Sequence, residues 1–356
     1  MSTEAIKTKE EYRSAAPAPL SLPSRQRIIQ AAARAVEQRI WDPQFDRRGW
    51  YDAVASQSHR ALKGNETIEF ERELDTLIRR ANEFIAIQST DIGLFHERDR
   101  KRPKSKGFSA RFQCCQANEC SSADSATWEG ADIRYSHLEH GTGWLKIARF
   151  PGAIGIEIAN DISAAIGELK KAKCERLIID LRGNASGGLA FLRLMSYLTP
   201  DRLVAGYSVT RVGAGKGTPK ETLKKFDWVP SQKWALPLLV VKYGLSDPSV
   251  CIVTEGLGSQ PFHGRMAILV DERTTGAGER VAAFARENYL ATIVGTRTAG
   301  KLICSDSTKL GYKYSARIPA RAWYTGQGQL LENVGVQPDV EGDDPLQRAT
   351  ELLTRQ

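Results

Sequence analysis

The sequence predicts an α/β fold, because apolar strand-like runs alternate with helical patterns from residue 143 onward. Two of these runs, Leu177–Ile179 and Ala267–Val270, lead into glycine-rich turns that open a helical pattern. The turns read Asp180-Leu-Arg-Gly-Asn-Ala-Ser-Gly-Gly188 and Thr274-Thr-Gly-Ala-Gly-Glu279. A buried strand that ends in such a turn points free backbone N–H groups of the following helix toward a possible ligand. These turns are therefore the first candidates for a functional site.

The N-terminal third is predicted to be a small helical region over residues 24–97, preceded by a polar, disordered segment over residues 1–23. Apolar residues recur at helical spacing in residues 24–41, and Ser24 is the expected N-cap. Asp42-Pro43 ends this helix, because proline disfavours helical geometry in the residue before it. Two more helices are expected, over residues 50–62 and 67–87.

Residues 98–142 are polar and weakly periodic, so an irregular segment is expected there. Residues 143–342 carry the α/β pattern, and residues 343–356 carry a final helix. The predicted strands in this part are 144–150, 176–181, 203–212, 236–243, 250–254, 266–271 and 291–295, with a ribbon over 312–322. The predicted helices are 158–173, 189–198, 276–288 and 345–353. The apolar run Trp234–Val241 is interpreted as a buried strand, since it is too short to cross a bilayer.

The composition is that of a soluble globular protein, with 41% hydrophobic and 26% charged residues. The net charge of +8 is scattered, and the densest basic run, Arg98–Lys106, contains proline and serine and is interpreted as a solvated loop. We therefore expect neither a nucleic-acid nor a membrane partner. The first 24 residues lack the apolar core of a signal peptide, so a cytoplasmic location is expected. The oligomeric state cannot be inferred from these features.

The six cysteines do not predict a disulfide framework in a chain of 356 residues without a signal peptide. Cys114, Cys115 and Cys120 precede His137 and His140, an arrangement that raises the question of a zinc site. Their spacing, Cys-Cys-x4-Cys, fits no standard zinc knuckle, so thiols in a loop are the preferred interpretation. No metal and no cofactor is expected.

Four segments occur in an order that resembles the tail-specific (carboxyl-terminal processing) serine peptidases, which are related to tricorn-core and interphotoreceptor retinoid-binding protein domains. They are Leu177–Gly188, Met266–Glu279, Ala291–Lys301 and Leu331–Asp339. The resemblance implies a crotonase-like fold of stacked ββα units. It also implies a serine-type peptidase that hydrolyses peptide or unfolded-protein substrates.

By this resemblance, Gly276 stands where the family has its nucleophilic serine. Lys301 lies 25 positions further on, which fits the lysine base of one branch of the family. The oxyanion donors would be the N–H of Gly187 or Gly188 and that of Ala277. Since glycine carries no nucleophile, the resemblance implies impaired activity.

In the tricorn-type branch the base is a histidine from the N-terminal region. The comparable stretch here is Ser89–Glu97, in which Asp91 takes the histidine position and His96 lies nearby. Only 47 residues separate His96 from Trp144, too few for a complete peptide-binding PDZ module. The module is therefore expected to be missing or reduced.

Two hypotheses follow from the glycine at position 276. An active peptidase would need a substitute nucleophile, for which the candidates are Thr275, Ser186, Ser259, Ser305 and Cys304. A pseudo-peptidase would keep the cleft and act as a peptide- or protein-binding module. A non-hydrolytic acyl reaction of the crotonase type is a weaker third idea, because the sequence offers no coenzyme A site.

Overall fold

The computed structural model describes residues 20–63, 66–96, 112–114, 132–217, 219–243 and 249–355. The chain divides into two compact units. The first contains the described residues up to His96, except Trp41–Pro43, together with Asp306–Ile318. The second contains Trp41–Pro43 and the remaining described residues. The predicted domain boundaries remain predictions.

Within the described residues, the helices are α1 (Leu22–Arg39), α2 (Arg47–Lys63), α3 (Thr67–Arg79), α4 (Ile156–Lys171), α5 (Phe191–Tyr197), α6 (Arg211–Gly215), α7 (Leu236–Tyr243), α8 (Ala277–Glu287) and α9 (Pro345–Thr354). The strands there are β1 (Gly93–His96), β2 (Phe112–Cys114), β3 (Ile133–Leu138), β4 (Thr142–Ile147), β5 (Arg176–Asp180), β6 (Ala185–Ser186), β7 (Val204–Thr210), β8 (Lys224–Phe226), β9 (Val250–Val253), β10 (Arg265–Val270), β11 (Thr275–Gly276), β12 (Thr292–Gly295), β13 (Cys304–Gly311) and β14 (Tyr314–Thr325).

The first unit is built on α1, α2 and α3, whose apolar faces share one core. Trp50 and Phe70 are fully buried in it, as their large apolar surfaces require. The start of β14 pairs antiparallel with β1, so that Arg317 lies opposite Gly93. Helix α1 begins at Leu22, and the hydroxyl of Ser21 accepts the N–H of Ser24. The predicted Ser24 cap is therefore wrong, since proline in the first turn lets the helix start earlier.

The second unit contains a six-stranded sheet in the order β12-β10-β5-β4-β3-β2. Strands β5 and β10 are parallel neighbours, with Ile179 opposite Ile268, so the two motif-bearing strands share one sheet as predicted. Leu177 and Ile179 join the large core that includes residues of α4, α5 and α8. Ile178 points to the other face and packs in a cluster with Leu353 of α9. Helices cover both faces, which explains the nearly uninterrupted apolar runs.

This unit also contains a second group of strands. In it, β7 lies between β9 and the later half of β14 and pairs antiparallel with both. Strand β8 pairs with β9. Strands β6 and β11 form a separate two-stranded parallel ladder. The predicted mixed α/β fold with a small helical N-terminal region is confirmed.

The predicted strand over residues 236–243 is wrong, because this segment is helix α7. Proline in its first turn does not interrupt the helix, since that N–H has no intrahelical partner. Trp234 and Val241 are 74% and 82% exposed, so the apolar run is not buried on two sides. Strand β3 lies inside the segment expected to be irregular, and its first residue, Ile133, is fully buried. Among the described helices, none is long and apolar enough to cross a membrane.

Candidate functional site

The two glycine-rich turns are joined to each other by hydrogen bonds. The hydroxyl of Thr274 donates to the carbonyl of Leu181 at 2.9 Å, and the N–H of Gly183 donates to Asp271 Oδ1 at 2.8 Å. The N–H of Thr275 donates to the carbonyl of Asn184 at 2.7 Å. The sequence places these turns about ninety residues apart, and parallel pairing of β5 with β10 brings them together. They form one structural element at the carboxyl edge of the sheet.

A buried charge cluster supports the first turn. Asp180 accepts Lys146 Nζ at 3.0 Å and a two-pronged contact from Arg182 at 3.0 and 2.6 Å. Lys146 Nζ also donates to the carbonyl of Arg182 at 2.7 Å. Burial acts to raise the pKa of Asp180, but the charges and hydrogen bonds of Lys146 and Arg182 prevail and hold that pKa below its usual range. The carboxylate is therefore ionised and fully paired.

Gly276 is the residue between β11 and α8, at φ 54° and ψ −107°. Residues with a side chain rarely adopt this positive φ, and strained strand-to-helix turns of this kind are where nucleophile elbows place their reactive residue. Its N–H is shared between the carbonyl of Lys301 at 3.1 Å and Glu279 Oε2 at 3.0 Å. The turn thus keeps a conformation that glycine adopts freely and that would strain a residue with a side chain.

Glu279 is the main support of this elbow. It is fully buried, yet both carboxylate oxygens are satisfied. Oε1 accepts the hydroxyl of Thr298 at 2.6 Å and the N–H of Gly300 at 2.5 Å. Oε2 accepts the N–H of Lys301 at 2.9 Å in addition to that of Gly276. One side chain therefore connects the elbow to the loop that carries the predicted base.

The same loop is held from its other side by Glu332, which belongs to the fourth motif segment. Its Oε2 accepts the N–H of Leu302 at 2.6 Å and that of Ile303 at 2.8 Å. The N–H of Asn333 donates to the carbonyl of Gly300 at 2.8 Å. The four segments that carry the sequence resemblance are therefore packed into one region of the second unit.

The predicted oxyanion donors differ in whether their backbone N–H already makes a hydrogen bond within the fold. The N–H of Gly188 donates to the carbonyl of Phe150 at 3.2 Å, so it is already used within the fold. Gly187 is exposed, and a Cβ there would meet no atom within 4 Å. In the small ladder Ser186 lies opposite Gly276, and Gly187 and Ala277 are the next residue along each segment. The roles of Gly187, Gly188 and Ala277 as oxyanion donors stay predictions.

The side chain of Lys301, the predicted base, is exposed, and its backbone makes both contacts with the elbow. In the first unit, Asp91, at the histidine position of the tricorn-type motif, forms an ion pair with Arg317 at 3.1 Å. His96 stacks edge-on against Tyr314 with ring centroids 4.8 Å apart. The paired Asp91 carboxylate is not arranged as a free base.

Among the substitute nucleophiles, Thr275 lies in β11, next to Gly276, and is partly buried. Ser259 is exposed, and its carbonyl accepts Lys170 Nζ at 3.4 Å. Cys304 is half-buried, and its sulfur lies 3.0 Å from Arg280 Nη2. The described part of the chain contains no cluster of histidine, cysteine and acidic residues able to hold a metal ion. Cys115, Cys120 and the side chain of Cys114 lie outside the described residues.

Three features of the site were not assigned from the sequence. Glu279 was visible as the third residue after Gly276, the position from which a glutamate reaches back to the N-cap N–H. Lys146 is a lone lysine in an apolar strand, which signals a buried partner. Nothing local indicated that Glu332 would bind Leu302 and Ile303.

Residues 141–342 match the family model described as Peptidase family S41. A carboxy-terminal-processing protease of Bartonella bacilliformis is 29% identical over 218 residues, which are 60% of this chain and 41% of that protein. Carboxy-terminal processing protease CtpA of Bacillus subtilis is 24% identical over 212 residues, which are 59% of this chain and 37% of that protein. The chain thus spans about two fifths of the length of these curated relatives.

Two solved structures share the fold over nearly the whole chain. A lipoprotein from Streptococcus agalactiae has a TM-score of 0.58 at 16% identity, covering 94% of this chain and 97% of that one. The photosystem II D1 C-terminal processing protease has a TM-score of 0.56 at 14% identity, covering 90% and 93%. At these identities the similarity establishes the fold alone.

Proposed function

The chain belongs to peptidase family S41, and on that premise we propose that it binds peptide or unfolded-protein segments at the α8 elbow without hydrolysing them efficiently. The observation that carries the proposal is Gly276, a residue without a nucleophile at a turn that keeps the positive φ of a strand-to-helix elbow. Serine-type hydrolysis needs a hydroxyl at this point, and its loss lowers the rate by several orders of magnitude.

The buried support of the elbow favours retained binding. Glu279 ties Gly276 to the Lys301 loop, and Glu332 holds that loop from the other side. The exposed Gly187 lies beside the elbow and leaves space for a ligand main chain. A turn supported in this way keeps its shape without a reactive residue, so it can serve recognition after its chemistry is lost.

The alternative is an active peptidase with a displaced nucleophile. Cys304 is the candidate that a specific observation favours, because its sulfur contacts the guanidinium of Arg280 at 3.0 Å. Thr275 is adjacent to the elbow, but its side chain leaves the turn in a different direction from that of residue 276. The carbonyl of Ser259 accepts a hydrogen bond from Lys170 Nζ in the last turn of α4.

Hydrolysis of fluorescently labelled casein by the wild type and by Gly276→Ser distinguishes a binding protein from an active peptidase with a displaced nucleophile. The proposal expects no cleavage above background by the wild type and measurable cleavage by Gly276→Ser. Wild-type cleavage that disappears in Cys304→Ser or Lys301→Ala would instead establish a displaced nucleophile and contradict the proposal.

Binding is tested separately by fluorescence anisotropy of a labelled, unstructured 15-residue casein peptide. Gly187→Trp fills the space beside the elbow and should weaken binding at least about tenfold, equivalent to about 1.4 kcal/mol. Gly167→Trp is the matched control, since a Cβ at that glycine on α4 also meets no atom within 4 Å. Equal binding by both variants, or none by the wild type, would contradict a peptide site at the elbow.

A further inference from the structure

The thiol of Cys304 and the guanidinium of Arg280 are in contact close to the Lys301 loop. Arg280, in the first turns of α8, is 5% exposed, and its Nη2 donates to the carbonyl of Leu302 and to the sulfur of Cys304, both at 3.0 Å. Cys304 is half-buried, so the residue is not sealed from solvent. Neither the hydrogen bonds that support the elbow nor the proposed peptide site uses this contact.

The guanidinium has an unused donor. Nε of Arg280 is buried and has no hydrogen-bond partner, although a buried N–H normally has one. Arg182 and Arg193 use their Nε and Nη2 together to bind two carboxylate oxygens. Arg280 uses only Nη2 of this pair, which donates to a carbonyl and to a sulfur. Its Nε can therefore donate to one more oxygen atom.

Aromatic rings fix this guanidinium in place. Its central carbon lies 4.5 Å from the ring centre of Trp323 and 5.5 Å from that of Phe191. Stacking on both rings keeps the charge beside Cys304 and prevents Arg280 from turning toward solvent to satisfy Nε. Trp323 Nε1 is a second buried N–H without a partner.

At the two other described thiols, Cys174 and Cys251, burial is the largest influence on the pKa, although the charges of Lys225 and Lys220 oppose it at Cys251. Cys251 is 2% exposed, and burial raises the pKa of its thiol. Burial also raises the pKa of the partly buried Cys174. Both are thereby kept in the protonated form, which is the unreactive form toward oxidants. They provide internal controls within the same chain.

We propose that Cys304 is a site of reversible oxidation by a hydroperoxide, and that Arg280 binds the oxygen added to its sulfur. The thiolate sulfur attacks one peroxide oxygen, so that an S–O bond forms as the O–O bond breaks. With hydrogen peroxide, the departing hydroxide takes up the proton released by the thiol and leaves as water. The product is Cys304 sulfenic acid, whose oxygen accepts the free N–H of Arg280 Nε.

The test is oxidation of the full chain with equimolar hydrogen peroxide, trapping of sulfenic acid with dimedone, and site-by-site mass spectrometry. The proposal expects Cys304 to be labelled at least about tenfold faster than Cys174 and Cys251, because burial raises the pKa of those two thiols and keeps them protonated. Dithiothreitol added before dimedone should abolish the label. Labelling of Cys304 no faster than that of Cys174 overturns the proposal.

Arg280→Met tests the role of the guanidinium while preserving a long apolar side chain between the rings. Labelling of Cys304 should fall at least about fivefold in this variant, toward the rate of an unassisted thiol. An unchanged rate overturns the assignment of Arg280. Should Arg280→Met not fold, iodoacetamide alkylation of the wild type at neutral pH decides: Cys304 must react faster than Cys174, whose thiol pKa is raised by burial. No step of this test depends on peptide binding or hydrolysis.

Discussion

Two sets of residues at the elbow differ in what they contribute to the fold. The buried carboxylates of Asp180 and Glu279 are fully paired and connect distant segments. The positions expected to perform the chemistry are an empty Gly276 and an exposed Lys301 side chain. Loss of a buried carboxylate leaves several donors unsatisfied, whereas loss of a serine hydroxyl at a turn leaves none. A reactive group can therefore disappear from this frame without unfolding it.

The largest expected effect is at Asp180. Replacement by Asn leaves Lys146 and Arg182 without their counter-charge in a buried site and should cost about 3 to 5 kcal/mol. Urea unfolding at neutral pH measures this loss. Glu139→Ala is the control, since that carboxylate is 93% exposed and its removal should change stability little.

The same carboxylate predicts an acid-sensitive stability. Because the pKa of Asp180 is lowered in the folded state, its contribution is present above the unfolded value of about 3.9 and is lost as the pH falls through the folded value. The wild type should therefore lose stability more steeply below about pH 4 than Asp180→Asn does. Parallel slopes for the two proteins between pH 5 and pH 3 would contradict this pairing.

Next in size is Glu279→Ala, which removes the acceptor of four hydrogen bonds. We expect a loss of about 3 kcal/mol, because unsatisfied buried donors cost about 1 to 3 kcal/mol each and are partly relieved by relaxation. Urea unfolding is again the measurement. A loss close to that of Glu139→Ala would mean that the elbow does not need this support.

The parts of the fold and of the site that could be predicted are those marked by a short-range pattern in the sequence. Strands β5 and β10 and the glycine-rich turns were predicted because apolar runs and turn residues are short-range patterns. Helix α7 was assigned wrongly as a strand, since eight largely apolar residues show no period that separates strand from helix. Lys146 and Asp180 are 34 residues apart, and Leu302 and Glu332 are 30 apart. Pairings of this kind depend on strand order, which a single sequence does not encode locally.

A smaller effect is expected at Gly276. Its φ of 54° disfavours any Cβ, so Gly276→Ala should destabilise the protein by about 1 to 3 kcal/mol. Gly187→Ala is the matched control, because it lies in the paired turn but has open space around its Cβ. Thermal unfolding of the two variants should rank Gly276→Ala well below Gly187→Ala. Equal midpoints would indicate that position 276 accepts a side chain without strain.

The smallest effect on stability is expected at Lys301. This residue gives the sharpest test of the difference between the residues that support the elbow and those expected to perform its chemistry. Its carbonyl and N–H contact the elbow through the main chain, so removal of the exposed side chain should leave the urea midpoint within experimental error. In the Gly276→Ser background the same Lys301→Ala change should abolish any casein cleavage gained, since the serine would lose its base. Lys309→Ala, at another exposed lysine, should preserve that gain. Cleavage that survives Lys301→Ala would assign the base to a different residue, and a lowered midpoint would show that the lysine side chain supports the elbow rather than only its chemistry.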